Sequence, residues 1–347
     1  MNREDVKKNH VATLNDVARK AGVSTATVSR CINNAHQVGE ATREKVMRAV
    51  KDLSYSPNFG AKIMAARRTN TIGAVIPTIE NSIFAQGIQA FQEVLDEYGY
   101  TLLVASSSYK PDLEEQQIRN LIARGAEALL LIGYERDDDI YQFLNDRRLP
   151  VVLTWSFDET GRHNSIGFDN CKAMDEMAEH VINLGHRQIG AIIAETTTND
   201  RSRDRLKGIQ SAMARHKLPS ECLSVEETPY SIESGAQAFQ NLYKSEKRPT
   251  VVMCGNDVLA AGALNKAKEL GLRVPDDISI TGFDDIELAR VVDPPLTTVH
   301  VPHREMGMKA AEMLVQWINT NTPQASHKLE TYICKRATLA APNELFV

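Results

Sequence analysis

Apolar positions near the start of the chain recur at helical spacing. Leu14, Val17, Ala18 and Ala21 share one face, and Thr13 followed three residues later by Asp16 forms a capping-box pair that places the helix start. Gly22 supplies the permissive backbone of a tight turn, and Ser24 is a good N-cap for a second helix. Val23 before that cap and Val28 after it predict a hydrophobic staple, with Val28, Cys31 and Ile32 facing inward. A third helix carries Val46, Ala49, Val50 and Leu53 and stops before Tyr55-Ser56-Pro57, because proline disfavours a helical residue ahead of it. Three short helices with one three-residue turn predict a helix-turn-helix unit. The next stretch, 58–66, is helix-prone through Ala61, Met64, Ala65 and Ala66 but weakened by Gly60. At barely two turns it needs outside help to stay helical.

From Thr71 the pattern changes to β-rich runs alternating with amphipathic helices. The runs are 72–76, 101–105, 128–132 and 151–155, then, after a break near Phe168, 189–193, 250–254 and 278–281. This alternation predicts two doubly wound parallel sheets with helices on both faces, hence two similar α/β lobes. Ligands of open parallel sheets sit at the carboxyl ends of the strands, so the cleft between the lobes is the expected binding site.

Charge sharpens the division. The whole chain of 347 residues has a formal net charge of −5, but residues 1–69 carry 13 Lys and Arg against 6 Asp and Glu, while the remainder is acidic. A basic helical head on an acidic body is the footprint of a protein that meets a polyanion with one end only. The five cysteines, Cys31, Cys171, Cys222, Cys254 and Cys334, are scattered and without CxxC spacing, which argues against a disulfide framework or a zinc site and for reduced, mostly buried thiols. No GxGxxG follows a strand, and neither GxxxxGK[ST], GxSxG nor HExxH occurs, so no catalytic, metal or cofactor site is expected. His300 and His303, within HVPH, read as loop residues beside a proline. No apolar run is long enough to span a bilayer, and the polar start, Met1 to His10, does not look like a secretory leader, so a cytoplasmic protein is expected. The two-lobed body alone would also suit a transport binding protein. The basic head and the polar start argue against that.

The head, LNDVARKAGVSTATVSRCINN running into VGEATREKVMRAVKDLSYSPN, resembles the DNA-binding signature of the lactose/galactose repressor (LacI-GalR) family almost position for position. VPDDISITGFDD and PPLTTVHVPHREMG resemble that family's C-terminal half, so the likeness covers nearly the whole chain. It implies an all-α helix-turn-helix head (1–57), a hinge helix and linker (58–69) and a periplasmic-binding-protein-like core (70–347) that dimerises. In that core the N-lobe would comprise about 70–168 and 300–328, and the C-lobe about 169–297 and 331–347. The implied activity is regulation of transcription by binding a pseudo-palindromic double-stranded operator under the control of a small effector. The ending APNELFV is too short for a tetramerising heptad tail, which favours a dimer.

Carried over residue by residue, the second helix would lie in the major groove with Thr25, Ala26, Ser29 and Arg30 outward. Arg30 would bridge guanine O6 and N7, and Ala26 and the Thr25 methyl would meet a thymine methyl. Thr27 and Ser29 would hold phosphates, and Thr13, Leu14, Ser24, Asn33, Tyr55, Asn58 and Ala61 complete the implied DNA contacts. Met64 stands where the family usually has a leucine that wedges open a minor-groove step, and Gly39 where a hydroxyl N-cap of the third helix is common. In the core the resemblance implies an effector site of Ile83, Phe84 and Trp155 on the N-lobe and Arg205, Tyr230, Asn256 and Asp284 on the C-lobe. Arg201 and Arg203, one turn earlier, would face an anionic effector or solvent. Aromatic faces beside Arg, Asn and Asp suit a sugar or sugar acid. SYKPDLEEQ and SIGFDNCKAM look most like the gluconate-type repressors, which favours a sugar acid.

Overall fold

A computed structural model describes residues 12–33, 38–56, 68–80 and 82–343, and the chain divides into two compact units between Thr69 and Asn70. The first unit contains α1 (Leu14–Ala21), α2 (Thr25–Asn33) and α3 (Glu40–Asp52). The capping box forms as the sequence predicts: the Thr13 amide donates to Asp16 Oδ2 at 2.9 Å and the Asp16 amide to Thr13 Oγ1 at 3.4 Å. Gly22 closes α1 in the left-handed region at φ 67°, and the Thr27 amide donates to Ser24 Oγ at 3.2 Å to cap α2. α3 starts at Gly39 without a side-chain cap. Val17, Ala18, Val28, Cys31, Val46 and Ala49 are buried together, and Leu14, Val23, Ile32, Val50, Leu53 and Tyr55 pack around them.

The second unit holds two six-stranded sheets. β1 (Thr71–Ile76), β2 (Thr101–Ser106), β3 (Ala128–Ile132), β4 (Val151–Thr154), β5 (Ser165–Gly167) and the late β11 (His327–Lys328) form one, in the order β11-β5-β4-β3-β1-β2, all parallel. β6 (Ile189–Ile193), β7 (Leu223–Glu227), β8 (Val251–Cys254), β9 (Ser279–Asp284), β10 (Thr297–His300) and β12 (Tyr332–Cys334) form the other, in the order β12-β10-β9-β8-β6-β7. Only β12 runs antiparallel, against β10. The central strands β1, β3, β6, β8 and β9 are buried along their whole length, as sheets covered on both faces require, while β2 and β7 are half-exposed edges.

The helices that cover the first sheet are α4 (Ala85–Glu97), α5 (Pro111–Ala123), α6 (Asp138–Asp146) and α12 (His303–Thr320). Those of the second are α7 (Asn170–Asn183), α8 (Asp200–Arg215), α9 (Ile232–Lys244), α10 (Asp257–Glu269) and the single turn α11 (Leu288–Val291). The chain passes between the sheets three times: from β5 to α7, from β10 to α12, and from β11 to β12. A cleft therefore lies between the carboxyl ends of two sheets tied by three adjacent connections. Among the described residues no helix is long and apolar enough to cross a membrane.

The five cysteines are free, Cys31 and Cys254 buried and Cys171, Cys222 and Cys334 half-buried, so the expectation of mostly buried thiols holds for two of them. HVPH is not a loop throughout: His300 ends β10, and His303 opens α12 with its ring buried, because the proline sits where a helix is about to begin.

Among the described residues of the small head, six buried side chains form its core. Val46→Ala removes two buried methyl groups from its centre and should cost about 2 kcal/mol. Helicity of the head, followed by circular dichroism, should melt at lower temperature while the core transition stays in place; a shift of the core transition instead would contradict the two-unit division.

Candidate nucleic-acid interface and ligand cleft

On α2 the inward face is occupied by Val28 and Cys31, which leaves Ala26 and Arg30 exposed one turn apart and Thr25, Thr27 and Ser29 half-buried beside them. Ser24 is exposed at the helix start, and its hydroxyl lies 2.9 Å from that of Thr27, so both hydroxyls are oriented at the amino end of the helix. Thr13 is exposed and Leu14 half-buried at the start of α1, while Tyr55 leans on the head core. A free helix amino end beside hydroxyls and a projecting guanidinium can take phosphate oxygens and a base edge. Asn58, Ala61, Met64 and the side chain of Asn33 lie outside the described residues.

In the core, Trp155 follows β4 directly. It is 1% exposed, sits at φ 59° and lies edge-on to Phe84 with ring centroids 5.1 Å apart. A tryptophan in the left-handed region stores strain that the surrounding packing must offset. Its backbone amide donates to Met306 Sδ at 3.1 Å, and its ring lies 5.9 Å from that of His303. Ile83, also buried, packs into the same cluster as Phe84.

The opposite wall centres on Asp284, the last residue of β9, which is fully buried at φ 105°. Neither carboxylate oxygen has a hydrogen-bond partner; the nearest charge is Arg205 Nη2 at 3.6 Å. Arg205 is fixed by its Nε–H donating to Asn170 Oδ1 at 2.9 Å, by Nη1 donating to the Gly255 carbonyl, and by the Phe283 ring 3.8 Å from its Cζ. Burial pushes the Asp284 carboxyl up to about 7, with Arg205 and Arg201 pulling it down. His303 Nε2–H donates to the Asp284 carbonyl at 3.1 Å, and burial lowers this imidazole to about 4, so it stays neutral. Asn256 caps α10, its Oδ1 accepting from the Leu259 amide at 2.8 Å, while its Nδ2 has no partner.

Phe84, Trp155, Arg205 and Asp284 are thus linked by contacts running through His303 and Phe283. Tyr230 stands apart from this chain: it faces Tyr109 with ring centroids 5.7 Å apart and lines a cavity of about 570 Å³. Tyr109 connects that cavity to the rest, because burial raises its hydroxyl, Tyr230 and Asp284 raise it further, and Arg201 and Arg205 lower it. Sequence reasoning missed Tyr109, Asn170, Phe283 and His303. Tyr109 lies inside SYKPDLEEQ, where a tyrosine before a helix-starting Lys-Pro was the available signal. Arg201 is buried and pairs with Asp200 at 2.7 Å, while Arg203 is partly exposed and pairs with Glu135 of the other lobe.

Asp285, His300 and Cys334 come close enough together to suggest a metal. Arg336 and Arg290 already face Asp285, however, and His300 Nδ1 is 2.9 Å from its carboxylate, so the cluster is built as an ion-pair knot.

Comparison with known proteins agrees with this division. Residues 13–58 match the family model described as bacterial regulatory proteins, lacI family, and 178–339 match that of the periplasmic binding protein-like domain. The HTH-type transcriptional repressor PurR of Actinobacillus pleuropneumoniae is 34% identical over 90% of this chain and 93% of its own. A crystal structure of a LacI-family transcriptional regulator from Silicibacter pomeroyi superposes with a TM-score of 0.86 at 26% identity, over 95% of this chain and 99% of that one. The lac repressor dimer bound to operator and the anti-inducer ONPF gives 0.83 at 29% identity over 95% and 99%. A helix-turn-helix head, a two-lobed parallel α/β core and relatives matched along nearly their whole length have one common reading: the chain belongs to the LacI family of bacterial regulatory proteins, and it is a DNA-binding regulator of transcription and not an enzyme.

Proposed function

We propose that this protein is a cytoplasmic homodimeric repressor whose paired heads (1–57) bind a pseudo-palindromic operator and whose core (70–347), joined through a hinge (58–69), releases it when a sugar or sugar acid enters the cleft. The lac repressor relative, a dimer bound to operator and an anti-inducer, supports both halves of this reading. Thr25, Ala26, Ser29 and Arg30 form the base-reading face, and Ile83, Phe84, Trp155, Arg205, Tyr230, Asn256 and Asp284 the effector site.

The observation that carries the effector class is the set of unpartnered buried polar atoms. Among the described residues, Trp155 Nε1, Asn256 Nδ2, both Asp284 oxygens and His303 Nδ1 are buried without partners. Leaving such groups unsatisfied costs free energy, which a ligand relieves by supplying donors and acceptors of its own. A polyol does both with each hydroxyl, and the Phe84–Trp155 pair offers a face for its C–H surface. Arg201, whose charge reaches Tyr109 and Asp284, supports a carboxylate on the ligand. A thermal-shift screen of sugar acids, neutral sugars and nucleobases tests this: a ligand at about a hundred times its Kd should stabilise the core by ~2.7 kcal/mol. Stabilisation by nucleobases alone would overturn the effector class.

Two further outcomes are expected. Arg30→Ala should lower operator affinity by about 1–3 kcal/mol while much of the salt-sensitive nonspecific binding remains; unchanged operator preference in an anisotropy titration would remove Arg30 from the interface. Asp284→Asn should abolish ligand stabilisation and change the pH profile of the ligand-free protein. Because burial raises this carboxyl above its unfolded value, its contribution to stability is complete below pH 4 and lost as pH rises through about 7. The stability of the variant relative to wild type should therefore increase by roughly 2–4 kcal/mol over that interval, measured by urea unfolding. A flat difference would mean that Asp284 ionises freely.

A further inference from the structure

One dense group of contacts between the two lobes lies away from Asp284 and Trp155. The loop after β3, residues 133–135, meets the first turn of α8. Asp200 is buried there, and its Oδ2 accepts the backbone amide of Tyr134 at 2.6 Å and the hydroxyl of Ser156 at 3.4 Å, both from the opposite lobe. Its Oδ1 takes Arg201 Nη1 at 2.7 Å. One turn on, Asp204 Oδ2 accepts the Tyr134 hydroxyl at 2.5 Å, and burial with this hydrogen bond raises the Tyr134 hydroxyl. Between them Arg203 pairs with Glu135. Two successive residues of one lobe, Tyr134 and Glu135, are thus bound by three side chains at the start of one helix of the other.

Gly133 makes the approach possible. It has φ 72°, and a Cβ there would stand 1.9 Å from Arg201 Nη1 and 2.5 and 2.7 Å from the Asp200 carboxylate oxygens. The loop has no room for a side chain at this position while the lobes are together.

We propose that Gly133–Glu135 and Asp200–Asp204 form a latch by which the chain closes its own cleft, so that closure is an intrinsic two-state equilibrium on which any ligand acts. All its donors and acceptors belong to the protein: an amide, two hydroxyls, three carboxylates and two guanidiniums. Asp200 is a buried carboxylate that accepts the Tyr134 amide and the Ser156 hydroxyl from the other lobe, and these two bonds are lost together when the lobes separate. The latch lies at the end of β3 and the start of α8; of the residues named for the effector it shares only Arg201, which stays on Asp200 of its own lobe, and its test is made on the ligand-free protein.

Trp155, buried and with its carbonyl accepting Asn170 of the other lobe at 2.9 Å, reports the opening. In a Trp317→Phe background, which leaves Trp155 as the only tryptophan, acrylamide quenching and small-angle X-ray scattering should show Gly133→Ala and Asp200→Ala shifted toward an open form, with the open population about tenfold higher. Glu135→Arg should open the cleft as well, and adding Arg203→Glu should close it again. The exchange keeps the test decisive if the glycine or aspartate variant fails to fold. Unchanged quenching and scattering in folded variants, or an exchange that restores nothing, would overturn the latch.

Discussion

A carboxylate with no exposed surface and no hydrogen-bond donor, Asp284, is held at the floor of the cleft by a guanidinium 3.6 Å away that is itself committed elsewhere. Arg205 cannot move toward it without giving up Asn170, the Gly255 carbonyl and the Phe283 ring. These partners come from the start of α7, the end of β8 and the end of β9, so one side chain ties the carboxyl ends of the second sheet to the first crossing between the lobes. Arg205 thereby fixes the geometry of the floor, and Asp284 is left as an incompletely satisfied charge. Burying charge in this way is unfavourable unless something completes its hydrogen bonds.

The wall opposite is strained in its backbone as well. Trp155 and Asp284 both hold positive φ, and each is the residue at or just past the end of a strand. Parallel strands deliver their last residues to the cleft, and the left-handed turn aims the side chain across it instead of along the sheet. Trp155 and Asp284 also make lobe-to-lobe contacts, with Asn170 and His303, so a small molecule placed there can bias how the lobes meet.

Much of this was legible in the sequence, for reasons that differ by element. The head helices were readable because caps and apolar stripes act locally: Thr13, Ser24 and the Val28/Cys31 face each specify their own turn. The central strands were readable as unbroken apolar runs. β5, β7, β10, β11 and β12 were not, being short or half-exposed and specified by neighbours distant in sequence, as when β12 pairs with β10. For the candidate site the resemblance supplied single positions but none of the pairs that the crossings bring together. Tyr109 facing Tyr230, His303 beneath Asp284, and Arg203 reaching Glu135 are each brought together by the three passages between lobes. Local pattern carries no information about such pairs.

The central claim is that what fills the cleft governs what the head binds, and reciprocity tests it most directly. With a cleft ligand in hand, operator affinity should be measured at rising ligand concentration, and ligand affinity with and without operator, at one salt concentration. The account predicts that each changes the other's affinity by the same factor, about 5–150-fold. A ligand that saturates the cleft and leaves operator affinity unchanged would contradict it.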